Sequence, residues 1–272
     1  MFRSIKRYLR LAKLEKEKLI RGASVESDAG EHKMLDKAHS GMFAGIIVLT
    51  GTLIAFIFTQ YNLNTASADN DHQVVAETIY HATDVCLHSF ALIALMVAFY
   101  KLRNLKHSFL RNNSIDNVLL VASMVGLTLY DLFEVVGMFY TIQNYPVTAD
   151  LILHAMTSLL IPIQAVIQTP FIISSMKRYS DRKEDQVNKP GRGVITFLLL
   201  LNICIWLHKS FTEAQMSVDL MQSFYGLVPW QIIMHTTLPL MLFYRFHSSV
   251  CLADTWVSMY ENEENPIQYM DI

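Results

Sequence analysis

Residues 117–140, NVLLVASMVGLTLYDLFEVVGMFY, decide how the whole chain is read. A helix rising about 1.5 Å per residue crosses a hydrocarbon layer roughly 30 Å thick in about 20 residues, and this apolar run is long enough to do so. It nevertheless carries two carboxylates, Asp131 and Glu134. Outward from this stretch, five more of similar length and character stand at residues 41–60, 79–100, 151–175, 194–211 and 228–250. The chain has 272 residues, 52% of them apolar and 17% charged, with a positive mean hydropathy. That balance excludes an ordinary water-soluble domain of this length. The expected fold is all-α, a polytopic membrane protein of six transmembrane helices. Its domain spans 38–250, between a basic N-terminal tail at 1–37 and an acidic C-terminal tail at 251–272.

Residues 1–37 have basic side chains scattered throughout and no uninterrupted apolar core, so they read as a charged tail lying along the membrane surface rather than a secretory signal. Cys86, Cys204 and Cys251 are odd in number, lack C-x-x-C spacing and fall in or beside apolar stretches. They read as packing residues, not as a disulfide framework or a zinc ribbon. Basic residues crowd the tail and the loops at 101–111 and 177–192, whereas NLNTASADNDHQ and QNYPVTAD contain no lysine or arginine. The positive-inside rule therefore puts both termini in the cytosol, and the expected location is the plasma membrane. Lys209 falls on the far side, at the end of its span, where it is expected to snorkel to the interface.

An ionisable side chain inside a bilayer costs several kcal/mol unless protein, water or a partner surrounds it, roughly 2.5 to 3.5 on insertion scales. Each such residue is therefore a functional candidate. His81, Asp84 and His88 at i, i+3, i+7 share one helical face, as do Asp131 and Glu134 at i, i+3. With the derived orientation, Asp84, His88, Asp131, Glu134, His154, His208 and His235 fall in the outer half of the membrane, where they are expected to line a vestibule. His81 is expected at the membrane surface, solvated. Gln164, Gln168 and Asn202 lie near mid-depth and Tyr244 closer to the cytosol; Arg245 and His247 read as anchors at the cytosolic end. Carboxylates and imidazoles followed by amides and a phenol make a graded polar path that suits protons better than metal ions or organic substrates. The structural alternative is that Asp84 and Glu134 pair with His88, His154 or Lys209 to hold helices together. Gly41 and Gly45 form a G-x-x-x-G that permits close helix approach.

Residues 224–256, FYGLVPWQIIMHTTLPLMLFYRFHSSVCLADTW, resemble the last helix of otopetrins, with FYRFHSSVCL the most specific string. In the same order, AHSGMFAGIIVLTGTLI, IDNVLLVASMVGLTLYDLF and VITFLLLLNICIWLHKSFTE resemble the seventh, ninth and penultimate helices of that family. The resemblance covers residues 38–257 and corresponds to the family's second six-helix half. It implies one six-helix barrel of a dimeric, twelve-helix, proton-selective channel that responds to extracellular acid. It also implies a hydrogen-bonded constriction made by Gln164, Asn202 and Tyr244, and an outer vestibule of Asp84, His88, Asp131, Glu134, His154 and His235. No metal, haem, nucleotide or other cofactor is implied, and no enzymatic activity. The expected partners are the bilayer, permeant protons and either further copies of the chain or a full-length otopetrin. No nucleic acid is expected.

Two other readings compete. A non-conducting half-length isoform or accessory subunit would modulate a full-length partner. A haem protein of the cytochrome b561 type would need histidine pairs near both membrane faces, and here only His247 lies near the inner one. A membrane hydrolase lacks support, since neither G-x-S-x-G nor H-E-x-x-H occurs.

Overall fold

Backbone amides inside a bilayer find no water to bond, so a spanning segment satisfies them within a helix. The computed structural model, which describes residues 40–65, 70–108, 113–216 and 218–260, follows that constraint throughout. Its helices are α1 (Ser40–Thr65), α2 (Asn70–Leu102), α3 (Ser114–Asn144), α4 (Ala149–Ser175), the short α5 (Lys183–Asn188), α6 (Arg192–Met216), the short α7 (Val218–Tyr225) and α8 (Leu227–Ser258). Five of them, α1, α2, α3, α4 and α6, are long and apolar enough to cross a membrane. The chain is thus an all-α, multi-pass membrane protein. α8 is equally long, at 32 residues, but His235, Arg245 and His247 dilute its apolar character.

The helices extend beyond the apolar cores read from sequence. α8 runs to Ser258, so residues 251–258 are helical rather than part of a tail. Met259 and Tyr260 are buried next to it. Residues 1–37 and 261–272 lie outside the described residues, and with them the expected basic tail along the membrane surface and most of the expected acidic tail.

Packing closes a circuit. α2 lies beside α4, α4 beside α3, α3 beside α8, α8 beside α6, and α6 returns to α2. Contacts between α4 and α8 cross the middle of the ring. Side-chain pairs give the directions: His81 with His154 and Phe99 with Phe171 make α2 and α4 parallel, while Tyr130 with Trp230 and His247 with Asp116 make α3 and α8 antiparallel. Leu95, Leu127, Ile161, Leu198, Leu201 and Met241 fill the apolar core inside this ring.

α1 leans on α6 from outside. Only 17% of its most apolar stretch is buried, against 39 to 44% for the other four candidate spans. What it does bury is Asn62 and a narrow seam of Gly41, Gly45, Thr52 and Thr59, the last three spaced by seven residues. A Cβ at Gly41 would lie 1.8 Å from the Gly193 carbonyl oxygen, and one at Gly45 would lie 2.3 Å from Leu200. Further along, Phe56 meets Phe211 at 5.8 Å and Gln60 donates to Gln215 at 3.1 Å, so the two helices run parallel.

The end of the bundle that carries the basic loops is tied by short-range contacts. Strands β1 (Lys106–His107) and β2 (Arg178–Tyr179) pair antiparallel. The Arg178 guanidinium donates to the Leu102 carbonyl, Lys106 pairs with Asp181, and Ser180 N–H donates to the Met259 carbonyl at 3.0 Å. Arg192 stacks over Trp256 at 3.6 Å. At the opposite end Gly226, between α7 and α8, takes φ +85 and ψ 159, a conformation that in practice only glycine adopts.

The seam gives a prediction with an internal control. Gly41→Leu should destabilise the bundle by about 1–3 kcal/mol, the usual cost of overpacking. Gly51→Ala, whose Cβ would meet nothing within 4 Å, should stabilise α1 by about 0.5–1 kcal/mol. Thermal melts of the detergent-purified variants measure both, and equal melting temperatures would refute the seam.

Candidate functional site

Inside the ring the polar residues are buried together rather than turned outward. Lys209 on α6 is 4% exposed and its ammonium lies 2.6 Å from Asp84 Oδ2 on α2 and 2.6 Å from Glu213 Oε2 one turn further along α6. The Tyr80 and Tyr130 hydroxyls both donate to Glu213, the latter at 2.7 Å. His208 brings Nε2 to 3.7 Å from Asp84 Oδ1, and its ring stacks on Tyr80. Lys209 therefore does not snorkel. α6 continues to Met216 and holds it inside the bundle, where two carboxylates neutralise it.

A second group lies beside the first. His154 Nε2 stands 3.7 Å from Glu134 Oε2, and the His81 and His154 rings stack with centroids 4.3 Å apart. His81 is thus buried between α2 and α4, not solvated at a surface. Asp131 is fully buried, and neither carboxylate oxygen has a hydrogen-bond partner among the described residues.

From Asp84 the contacts continue toward the basic end. His88 Nδ1 meets the Asp84 carbonyl at 2.8 Å, and His88 Nε2 meets Arg245 Nη2 at 3.0 Å. Arg245 Nη1 donates to Gln164 Oε1 at 2.6 Å. Gln164 Nε2 donates to Gln168 Oε1 at 2.7 Å, and Gln168 Nε2 to Asn202 Oδ1 at 2.9 Å. Asn202 is anchored in turn by a bond to its own helix, the Leu198 carbonyl, at 2.8 Å. Tyr244 donates to the Ala165 carbonyl at 3.1 Å and shares a 3.0 Å bond with Thr169. Contacts of 3.0 Å or shorter run in two stretches that meet at Asp84: its carboxylate joins Lys209 and Glu213, and its backbone carbonyl leads through His88, Arg245, Gln164 and Gln168 to Asn202.

Several residues differ from the sequence expectation. Arg245 is not an interfacial anchor: the extra length of α8 places it well inside the helix, fully buried between His88 and Gln164. Gln168, not Gln164, touches Asn202 directly, and Tyr244 bonds α4 one turn away from the amides. His235 lies on the exposed face of α8, apart from the other vestibule candidates. Asp84, His88, Asp131, Glu134 and His154 are all buried. Glu213 and Tyr80 were missed by the sequence reading. The signal was present: Asn202, Lys209 and Glu213 recur at i, i+7, i+11 on one face of α6, and Tyr80 stands one turn before Asp84.

Charge counting shows what this arrangement can do. Asp84, Asp131, Glu134 and Glu213 carry four carboxylates, and Lys209 and Arg245 supply two fixed cations. With all six ionised, two negative charges stand in excess in a medium that tolerates none, so protons held within the cluster balance them; Asp131, which has no cation beside it, is placed to hold one, whereas His88 Nε2 already accepts from Arg245.

Removal of Lys209 tests its part in this balance. Lys209→Met leaves Asp84 and Glu213 without their cation and should cost about 3–5 kcal/mol, the usual penalty for breaking a buried pair. Adding Asp84→Asn should recover part of the loss. Thermal melts of the single and double variants decide it, and a Lys209→Met protein as stable as the parent would show that the ion triad is not structural.

Comparison with known proteins agrees with the helix pattern and the buried polar file. A family model described as Otopetrin matches residues 13–246. Proton channel OtopLc of Drosophila melanogaster is 32% identical over 229 residues, which cover 83% of this chain and 14% of that relative. The chain thus spans a small part of the length of the curated relative it matches. Since the family match runs through five of the described long helices and into α8 as far as Arg245 and Phe246, the chain belongs to the otopetrin family.

Proposed function

We propose that the chain conducts protons across the plasma membrane, inward, when the external solution is acid. Both termini lie in the cytosol, α8 makes the sixth crossing, and the ring forms one otopetrin-like barrel with α1 against its outer wall. The observation that carries this reading is the buried file from Glu213 to Asn202. Contacts of 3.0 Å or less leave no bore for a hydrated metal ion, whereas a proton needs only groups and water molecules that exchange it. In the proposed route Asp84, Asp131, Glu134, His88 and His154 collect protons, with His81, His208 and Glu213 added to that set. Gln164, Gln168, Asn202 and Tyr244 form the constriction.

Arg245 has a distinct part in this mechanism. Its guanidinium is a fixed positive charge between the histidine and the amides. Such a charge repels sodium and potassium and holds Gln164 in one orientation. A proton passing this point needs Arg245 to shift away from His88 or a water file to form beside it, so the contact acts as a closed gate. The driving force is the pH gradient together with about 2.3 kcal/mol per charge per 100 mV of membrane potential.

A second reading rests on His235. A polar side chain facing lipid is costly, and His235 with its neighbour Thr236 is exposed on α8. Another protein surface over this face would remove that cost. Further copies of the chain or a full-length otopetrin supply such a surface, and in the latter case the chain serves as an accessory subunit.

Whole-cell current with simultaneous intracellular pH distinguishes the two. In cells expressing the chain alone, a step to acid outside should give an inward current whose reversal potential follows the proton gradient. Gln168→Leu leaves the buried amides of Gln164 and Asn202 without their partner, a penalty of about 1–3 kcal/mol, and should change that current by roughly five- to 150-fold. Silence with the protein at the surface, restored by co-expression of a full-length relative, would establish the accessory role instead. Currents unchanged in Asp84→Asn, Glu134→Gln and Gln168→Leu alike would remove the proposed route.

A further inference from the structure

Away from the polar file, near the basic end of the bundle, three side chains of different chemistry converge. Asp116 stands in the first turn of α3, and His247 and Cys251 occupy i and i+4 on α8. The His247 Nε2 atom lies 3.6 Å from Cys251 Sγ and 3.8 Å from Asp116 Oδ1, and the donor atoms of the three residues all lie within 4.8 Å of one another.

These separations are those of ligands around one small ion. Zinc binds sulfur at about 2.3 Å and imidazole nitrogen or carboxylate oxygen at about 2.0–2.2 Å, so tetrahedral ligands stand about 3.4–3.6 Å apart. The two separations from His247 meet that within a few tenths of an ångström, and the third stays within 4.8 Å. The i, i+4 step sets His247 above Cys251 on one helical face. The Phe243 ring stacks on the imidazole at 5.2 Å and 12°, which fixes the plane of the ring. Nε2 faces the Asp116 carbonyl at 3.4 Å, longer than a good hydrogen bond, so only a weak contact is given up when that nitrogen turns its lone pair to a metal. His247 and Cys251 are buried, while the Asp116 side chain is 48% exposed and leaves a path of entry.

We infer that Asp116, His247 and Cys251 bind one zinc ion that staples α3 to α8. The donor set selects the metal: thiolate and imidazole suit zinc and disfavour magnesium and calcium, which take oxygen ligands. Three protein ligands leave a fourth position for water. This site does not depend on proton conduction. It lies two residues beyond Arg245 on α8 and joins that helix to the one carrying Asp131 and Glu134, so an ion bound there would restrain the movement of α8 against α3.

Cobalt(II) provides the test, because a thiolate bound to it gives an intense charge-transfer absorption that histidines and carboxylates elsewhere in the chain do not. The full chain, purified in detergent, reduced and freed of metal, should show this band on titration, saturating at one equivalent and bleached by zinc. Cys251→Ser should abolish the band and Cys86→Ser should leave it. Asp116→Asn, at a half-exposed position that the fold tolerates, should weaken cobalt binding at least about tenfold. His247→Ala should weaken it further. No thiolate band at saturating cobalt, a band that survives Cys251→Ser, or an affinity indifferent to Asp116→Asn would each overturn the site.

Discussion

An ammonium group held in the middle of a helix bundle, with carboxylates on two sides, is the constraint on which the rest of this structure depends. Lys209 could not be buried alone, since an unpaired charge in a low-dielectric interior costs far more than any single packing contact returns. Asp84 and Glu213 make its burial tolerable, and each of them brings further groups: Asp84 brings His208, while Glu213 brings Tyr80 and Tyr130. These partners lie on α2, α3 and α6. A single buried cation thus fixes how three helices face one another, and register errors between them would strand a charge.

The same logic extends along the axis. Arg245 is a second cation buried along this axis, but it is held by neutral groups, His88 and Gln164, rather than by a carboxylate. Its hydrogen bonds join α8 to α2 and to α4 across the ring. Together the two cations divide the interior into an acidic, histidine-rich region and an amide region, with Arg245 at the boundary. Helix packing and the proposed proton route use the same contacts, so the structural role of Asp84 and the functional one are not alternatives.

The closing of the ring has a further consequence for the peripheral helix. α1 contributes no charged residue to the interior and touches α6 through small side chains, so it can be apolar over most of its circumference. Small residues at the seam let two backbones approach closely, which in lipid replaces the hydrophobic drive that is absent between membrane helices.

Much of this was legible in the sequence. Length and apolar content set the class, since a chain this apolar has few ways to satisfy its backbone except as membrane helices. Periodicity put His81, Asp84 and His88 on one face, and the string FYRFHSSVCL identified the family. What the sequence could not decide was which faces meet. Apolar content marks where a helix can cross lipid, not where it ends, and so α6 and α8 were read too short. That error moved Lys209 and Arg245 to the interfaces and left Glu213 out of account. Likewise the i, i+4 spacing of His247 and Cys251 is local, but their convergence with Asp116, far away in sequence, exists only because α3 and α8 pack antiparallel. His235 shows the converse: its position within a span suggested the interior, and the rotation of α8 about its axis turned it outward. Local chemistry and period are written in the chain; depth, rotation and partners are set by packing, because a buried charge is stable only where another helix brings its counterpart.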